Sequence, residues 1–264
     1  ALFAFTFPAS DLLLEDWGVL SVIVFRNLAA FLLLLLMWII SEGFKPLRSA
    51  DWLKGLWVGG IGFGIGSVLM IMTIYFTSPV IAALTAAMMP VAGVILEVLF
   101  DGRKLRRWFL VGFFLVLIGG FFATGVNFTE ARFGFGALIG ILGAILYAWG
   151  SRATVKTLPR LTSLGQTTVT SFGMTLFGIG FYLTALLFGL PGTIIPEVTN
   201  DHVILILITG WVSLSISQYL WIKGVSGLGI GIASFHLNGA PFFVMLILLI
   251  LGGDWNWQQA FGAL

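Results

Sequence analysis

Two segments of the sequence, LTAAMMPVAGVILEVLFDG (residues 84–102) and SFHLNGAPFFVMLILLILGG (residues 234–253), each place a glycine twelve residues after a proline. Repetition of a long segment indicates a chain built from similar structural units. We therefore expect two related halves. At an offset of 151 residues the segments superpose, and three residue pairs align: Pro90 with Pro241, Gly102 with Gly253, and Gly59 with Gly210.

The composition indicates that both halves are embedded in a membrane. Hydrophobic residues make up 59% of the 264 residues and charged residues 9%, and the mean hydropathy is +1.09. Soluble domains are much more polar. A net charge of +2 without a soluble basic face argues against a nucleic-acid partner. The absence of cysteine excludes disulfides, thiolate metal sites and thiol nucleophiles, and we expect neither a cofactor nor a metal.

Apolar runs of about 20 residues, the length needed to cross a bilayer, occur throughout the chain. We predict ten transmembrane spans, of which the first and last are truncated. A weaker match of Ala1 with Ala144 places the start of the first span roughly ten residues before Ala1. The spans are Ala1–Pro8, Trp17–Ile40, Gly55–Tyr75, Pro79–Phe100, Trp108–Gly125, Phe135–Arg152, Leu164–Gly189, Val203–Ile222, Ser226–Leu251 and Trp257–Leu264.

Alternate loops differ in their basic residues, which predicts the orientation of the chain. Cytoplasmic loops carry an excess of Lys and Arg. One set of loops holds eleven of the thirteen cations, whereas the opposite set holds only Arg132. The basic set is therefore predicted to be cytoplasmic, as are both termini. Its residues are Lys45, Arg48, Lys54, Arg103, Lys104, Arg106, Arg107, Arg152, Lys156, Arg160 and Lys223.

An odd number of spans in each half determines how the halves are related. Residues 1–125 and residues 133–264 each contain five predicted spans. The second half therefore enters the membrane with the opposite orientation, which is the inverted-repeat plan of many secondary transporters. The predicted fold is an all-α integral membrane protein of ten transmembrane helices in two inverted five-helix repeats.

These motifs resemble the drug/metabolite transporter superfamily, in its ten-helix EamA-type branch. The resemblance covers nearly the whole chain. It depends on Arg26 in VIVFRNLAAFLLLLL (residues 22–36), on the two proline and glycine pairs described above, and on ILYAWGSR (residues 145–152) in the sixth span. Two positions depart from the family. Arg103 follows Gly102 where relatives have glutamate, and AAMM (residues 86–89) replaces the Asn-Tyr-Leu-Trp of relatives that export aromatic amino acids.

The resemblance implies a basket of helices around one central cavity that opens alternately to either side. Its members move small metabolites or drugs, often outward. It implies a multi-pass protein of the bacterial inner membrane, surrounded by lipid, with a small-molecule substrate and a coupling proton or exchange solute. We expect a monomer or weak homodimer. The departure at residues 86–89 disfavours aromatic amino acids as substrates.

Arg26 is the first candidate for a substrate-binding residue. It lies nine residues past Trp17, about 13 Å into its span. A charge at this depth is a functional hypothesis. The alternative is that the side chain snorkels to the outer interface near Glu15 or Asp16. Glu97, one turn from the cytoplasmic end of its span, is expected to pair with the basic loop that follows.

The turns before the two prolines supply further candidates. Both prolines are predicted hinges, because a proline leaves a carbonyl without its helical partner at mid-membrane. Each polar residue near them is predicted either to contact the ligand or to bond to another helix. The candidates around Pro90 and Pro241 are Thr85, Met89, His236 and Asn238, and those in the sixth and eighth spans are Tyr147, Trp149, Gln218 and Tyr219.

Two other classes of function are alternatives to a transporter: an intramembrane protease, and a receptor or scaffold. GVSG (residues 224–227) and HLNG (residues 236–239) resemble the serine and histidine signatures of rhomboid-type intramembrane proteases. On one predicted span, however, Ser226 and His236 are about 15 Å apart along the axis, too far for a nucleophile and its base. A receptor or scaffold without transport stays an alternative. We therefore predict a non-enzymatic secondary transporter.

Overall fold

The computed structural model describes residues 1–102, 111–112, 114–115, 131–253, 255 and 257, which form helices and contain no strand. Seven of the helices are long and apolar enough to cross a membrane, and a shorter apolar helix precedes them. This is the architecture of a multi-pass membrane protein. The helices are α1 (Leu2–Leu14), α2 (Val19–Glu42), α3 (Trp52–Phe76), α4 (Pro79–Asp101), α5 (Ala131–Thr157), α6 (Ser163–Leu187), α7 (Asn200–Leu228) and α8 (Ile230–Ile250).

The described helices correspond to eight of the ten predicted spans. The fifth predicted span, Trp108–Gly125, and the tenth, Trp257–Leu264, lie almost entirely outside the described residues. A short helix, Lys45–Ser49, connects α2 to α3. The all-helical class of the fold is confirmed, whereas the count of ten helices stays a prediction.

Three predicted spans end five or six residues before the corresponding helices do. α1 continues past Pro8 to Leu14, because proline is tolerated in the first turn of the α-helix that begins at Thr6. α5 continues past the predicted end at Arg152. Ser226 belongs to α7 and not to the following span, because the chain turns at Gly229, which has a φ of 78°.

α3 packs closely against α6 and α5 along its glycine-rich stretch. A Cβ added to Gly59 would lie 1.8 Å from the carbonyl oxygen of Thr170 in α6, and one added to Gly62 would lie 2.5 Å from the Cα of Gly150 in α5. Small residues allow membrane helices to approach this closely. The glycine run therefore allows close packing of α3 against its two neighbours.

Replacement of Gly59 is expected to destabilise the protein. We expect Gly59→Ala to lower the free energy of unfolding by about 1–3 kcal/mol, the usual effect of overpacking, because the methyl group overlaps the Thr170 carbonyl. The measurement is the melting temperature in lipid nanodiscs. Gly180→Ala in α6 is the matched control, since its added Cβ meets nothing within 4 Å. Equal melting temperatures for the two variants would contradict the packing interpretation.

Four irregular stretches interrupt the long helices, and they form two pairs. α3 contains a π-helical stretch, Gly59–Ile65, and α7 contains another, Ile208–Ile216. α4 is interrupted at residues 87–88, and α8 tightens into a 3₁₀ stretch, Ser234–Gly239. The offset of 151 residues found in the sequence places each stretch on or beside its counterpart.

The two prolines lie directly after the second pair of irregular stretches. Pro90 is the second residue of the helical segment Met89–Asp101, and Pro241 is the second residue of the segment Ala240–Ile250. Proline is favourable at the start of a helix, where its missing N–H has no partner to lose. Each proline therefore lies at the start of a new helical segment, near the middle of α4 for Pro90 and near the middle of α8 for Pro241.

Candidate functional site

A cavity of about 360 Å³ lies where α1, α4, α5, α7 and α8 meet. It is mostly apolar. Four of the residues predicted from the sequence to bind substrate line it: Met89, Tyr147, Gln218 and His236. The other lining residues are Ala1, Leu2, Phe3, Ser217, Leu220, Trp221, Gly224, Leu228, Ala233 and Leu237.

The irregular stretches bring these side chains to the cavity. Met89 follows the interruption of α4, His236 lies within the tightened stretch of α8, and Gln218 comes just after the π-helical stretch of α7. The Nδ1 atom of His236 lies 3.2 Å from the carbonyl oxygen of Ala233. Broken helices that line a cavity are a recurring way to build a binding site within a membrane.

A second, much smaller cavity of about 10 Å³ lies beside the first. Tyr147 and Gln218 line both of them, so these two side chains lie between the cavities. The small cavity has a polar wall. The Oγ of Ser171, which lines it, and the Nε2 of Gln218 are buried and have no hydrogen-bond partner.

Arg26 points into the protein and not toward the membrane surface. The residue is 1% exposed, its Nη2 donates a hydrogen bond to the Oγ of Ser67 in α3, and the Tyr147 side chain lies beside both groups. Its Nε and Nη1 are buried without a hydrogen-bond partner. The side chain therefore does not snorkel to the interface, which was the alternative considered for it.

No acidic side chain of the described residues forms an ion pair with Arg26. The carboxylates of Asp51 and Asp101 pair with basic residues, that of Asp16 lies 3.4 Å from His202, and that of Glu42 accepts a hydrogen bond from Thr162. A buried charge without a counter-ion is costly. Arg26 is thus a cation held inside the helix bundle next to a residue of the cavity wall.

The other predicted site residues lie outside the lining of the 360 Å³ cavity. Asn238 is partly buried and its Oδ1 has no hydrogen-bond partner. Thr85 donates a hydrogen bond to the carbonyl oxygen of Ala82, and its side chain faces Gly140 of α5 at close range. Tyr219 packs on the apolar cluster around Trp38, and Trp149 is partly buried.

Trp221 and Ser217 line the cavity but were not predicted to do so. Trp221 donates a hydrogen bond from its Nε1 to the Oγ of Ser151 in α5, 2.9 Å away. Both residues lie on one face of α7 with Gln218 and Gly224. The spacing of three and four residues was visible in the sequence and would have identified this face.

A polar cluster joins the ends of α4, α5 and α8. Asp101 accepts two hydrogen bonds from Arg152, at 2.7 and 2.8 Å, and lies 3.2 Å from the Nζ of Lys156. One turn earlier in α4, Glu97 accepts a hydrogen bond from the backbone N–H of Gly231, 3.1 Å away. A cavity of about 260 Å³ lies among these groups. The cluster therefore connects the first half of the chain to the second.

Comparison with known proteins finds a family match for the first part of the chain and a fold match for nearly all of it. Residues 1–125 match the EamA-like transporter family. No curated protein matches the chain. Solved structures do match it, and one crystal structure of a protein is 19% identical, with a TM-score of 0.69 over 99% of this chain and 90% of that chain. At this identity the likeness concerns the fold alone.

Proposed function

We propose that the chain is a secondary transporter of small organic solutes, because residues 1–125 match the EamA-like transporter family, which the sequence motifs resemble. The observation that carries this proposal is the 360 Å³ cavity, whose wall comes from both halves of the chain. Met89 belongs to the first half, whereas Tyr147, Gln218 and His236 belong to the second. A ligand held there would contact both halves at once.

The paired irregularities support an alternating-access mechanism. The π-helical stretches of α3 and α7, and the proline restarts in α4 and α8, occur at related positions of residues 1–125 and 133–264. In inverted-repeat transporters, one repeat moves against the other around a central site. Pro90 and Pro241 are the proposed hinges of that movement. The proposed direction is export across the bacterial inner membrane, with both termini in the cytoplasm.

A protease remains the weaker candidate, although one premise of the sequence argument against it was wrong. Ser226 lies on α7 and His236 on α8, so the two residues are not on a single helix. Ser226 is exposed, and no hydrogen bond joins it to His236 within the part of the chain that the structure describes. The family matched by the first half is a family of transporters. A receptor or scaffold that binds the solute without moving it is the second candidate.

The experiment that tests transport is flux through the purified protein. Liposomes that contain the reconstituted protein are loaded with a mixed library of small metabolites. The solutes that leave the liposomes over time are identified by mass spectrometry. Transport predicts selective loss of a few solutes relative to protein-free liposomes. Binding to the purified protein in a thermal-shift screen, without flux of the same solute in either direction, would favour the receptor.

Labelling of single cysteines tests the predicted orientation, since the natural chain contains none. We expect cysteines at Arg48 and Arg160 to be protected from an impermeant maleimide in intact cells, and those at Asp16 and Asp201 to react. All four positions are exposed in the structure, so accessibility within the protein does not bias the result. Permeabilised cells, in which all four should react, provide the control. The reverse pattern would contradict the proposed orientation.

A further inference from the structure

The buried guanidinium of Arg26 carries an inference about the substrate, which rests on the proposed transport function. Arg26, the eighth residue of the 24-residue helix α2, is 1% exposed and has no ion-pair partner among the described residues. A charged group buried in this way is destabilising unless a partner compensates for it. Because Nε and Nη1 lack hydrogen-bond partners, the side chain retains two donor atoms for such a partner.

The neighbouring unpaired groups include further hydrogen-bond donors. Both Nδ2 and Oδ1 of Asn27, the next residue of α2, are buried without a partner, as are the Oγ of Ser171, which can donate or accept, and the Nε2 of Gln218. The side chain of Tyr147 lies beside Arg26 on one side and lines the 360 Å³ cavity on the other. None of the described residues that line that cavity is an Asp, Glu, Lys or Arg. With Nε and Nη1 of Arg26, the donors in this set outnumber its acceptors, which favours a ligand that supplies acceptor oxygens.

We propose that Arg26 binds the anionic group of the transported solute, and that the solute is an organic monoanion of the carboxylate class. A guanidinium and a carboxylate form paired hydrogen bonds in a plane, which suits a single buried arginine. One cation balances one negative charge, which favours a carboxylate over a doubly charged phosphate. The apolar body of the solute then occupies the cavity beside Phe3, Trp221 and Leu237.

Binding of matched compounds to the wild-type protein tests the charge preference. The probes are monocarboxylates from acetate to cyclohexanecarboxylate, each compared with its neutral amide and its amine, in lipid nanodiscs at pH 7.5. We expect at least one carboxylate to bind roughly 10- to 100-fold more tightly than its amide, the factor that corresponds to a charged hydrogen bond. Thermal-shift titration provides the dissociation constants.

Two variants locate the preference at Arg26. Arg26→Gln removes the charge and should abolish the difference between carboxylate and amide, whereas Arg26→Lys should keep part of it. If Arg26→Gln does not fold, Arg26→Lys and the wild-type series still test the proposal. The proposal is overturned if no carboxylate binds more tightly than its amide to the wild type, or if Arg26→Gln retains the preference.

Flux measurements separate this inference from the transport function itself. Liposomes are loaded with the same carboxylates, amides and amines. A carboxylate that binds through Arg26 but is not moved would support the anion site and contradict transport. Flux of amides or amines with no preference for the carboxylate would support transport and contradict the anion site.

Discussion

Gly224→Trp is expected to lower transport by about two orders of magnitude, whereas Gly227→Trp should leave it near the wild-type rate. Both glycines lie near the end of α7, and a Cβ added to either would meet nothing within 4 Å. Gly224 lines the 360 Å³ cavity and Gly227 does not. The indole at position 224 would therefore occupy the space proposed for the solute without disturbing helix packing.

The pair of variants separates blockage from misfolding. We expect flux through Gly224→Trp to fall by about two orders of magnitude. An indole that fills the cavity removes most of the contacts that the solute would make there, and each loss of about 1.4 kcal/mol in binding free energy lowers the affinity tenfold. Both variants should have melting temperatures close to that of the wild type. Equal flux through the two variants would mean that solutes do not pass through this cavity.

Much of the helix arrangement could be predicted because long apolar runs depend on hydropathy alone. The predicted span Pro79–Phe100 differs from α4 by a single residue at its end. The end of α7 could not be predicted in this way, since Lys223 is exposed on the last turns of a helix that continues to Leu228. A lysine at a helix end is compatible with either a loop or a helix.

The candidate site was only partly predictable, because sequence gives the position of a residue along a helix but not the direction of its side chain. The position of Arg26 along its predicted span follows from the sequence, yet the burial of the side chain depends on the rotation of α2 against Ser67 of α3. Thr85 and His236 lie at similar depths before their prolines. The first packs against α5 and the second lines the cavity, because the irregular stretches change the helical phase.

Reversal of the charge at Asp101 is expected to weaken the connection between the two halves of the chain. In Asp101→Arg, an introduced cation would face both Arg152 and Lys156, which now lie 2.7 and 3.2 Å from the Asp101 carboxylate. The Asp101 and Arg152 side chains are 26% and 16% exposed, so solvent screens the repulsion only in part. We expect a lower melting temperature and slower flux.

The double swap Asp101→Arg with Arg152→Asp tests whether the interaction is specific. Restoring opposite charges should recover part of the stability lost in each single variant, with a coupling energy of about 0.5–3 kcal/mol, the range for residues in contact. Recovery should be incomplete, because Lys156 would still face the new cation at position 101. Lys54, which pairs with Asp51 within one half of the chain, provides the control.

Lys54→Glu disrupts an ion pair of highly exposed side chains, for which effects of about 0–1 kcal/mol are usual. Its melting temperature and flux should therefore stay close to those of the wild type. Additive effects of the two reversals at Asp101 and Arg152 would show that the bridge contributes nothing beyond its separate charges. A coupled effect on both stability and flux would instead mean that α4 and α5 transmit movement between the halves through this contact.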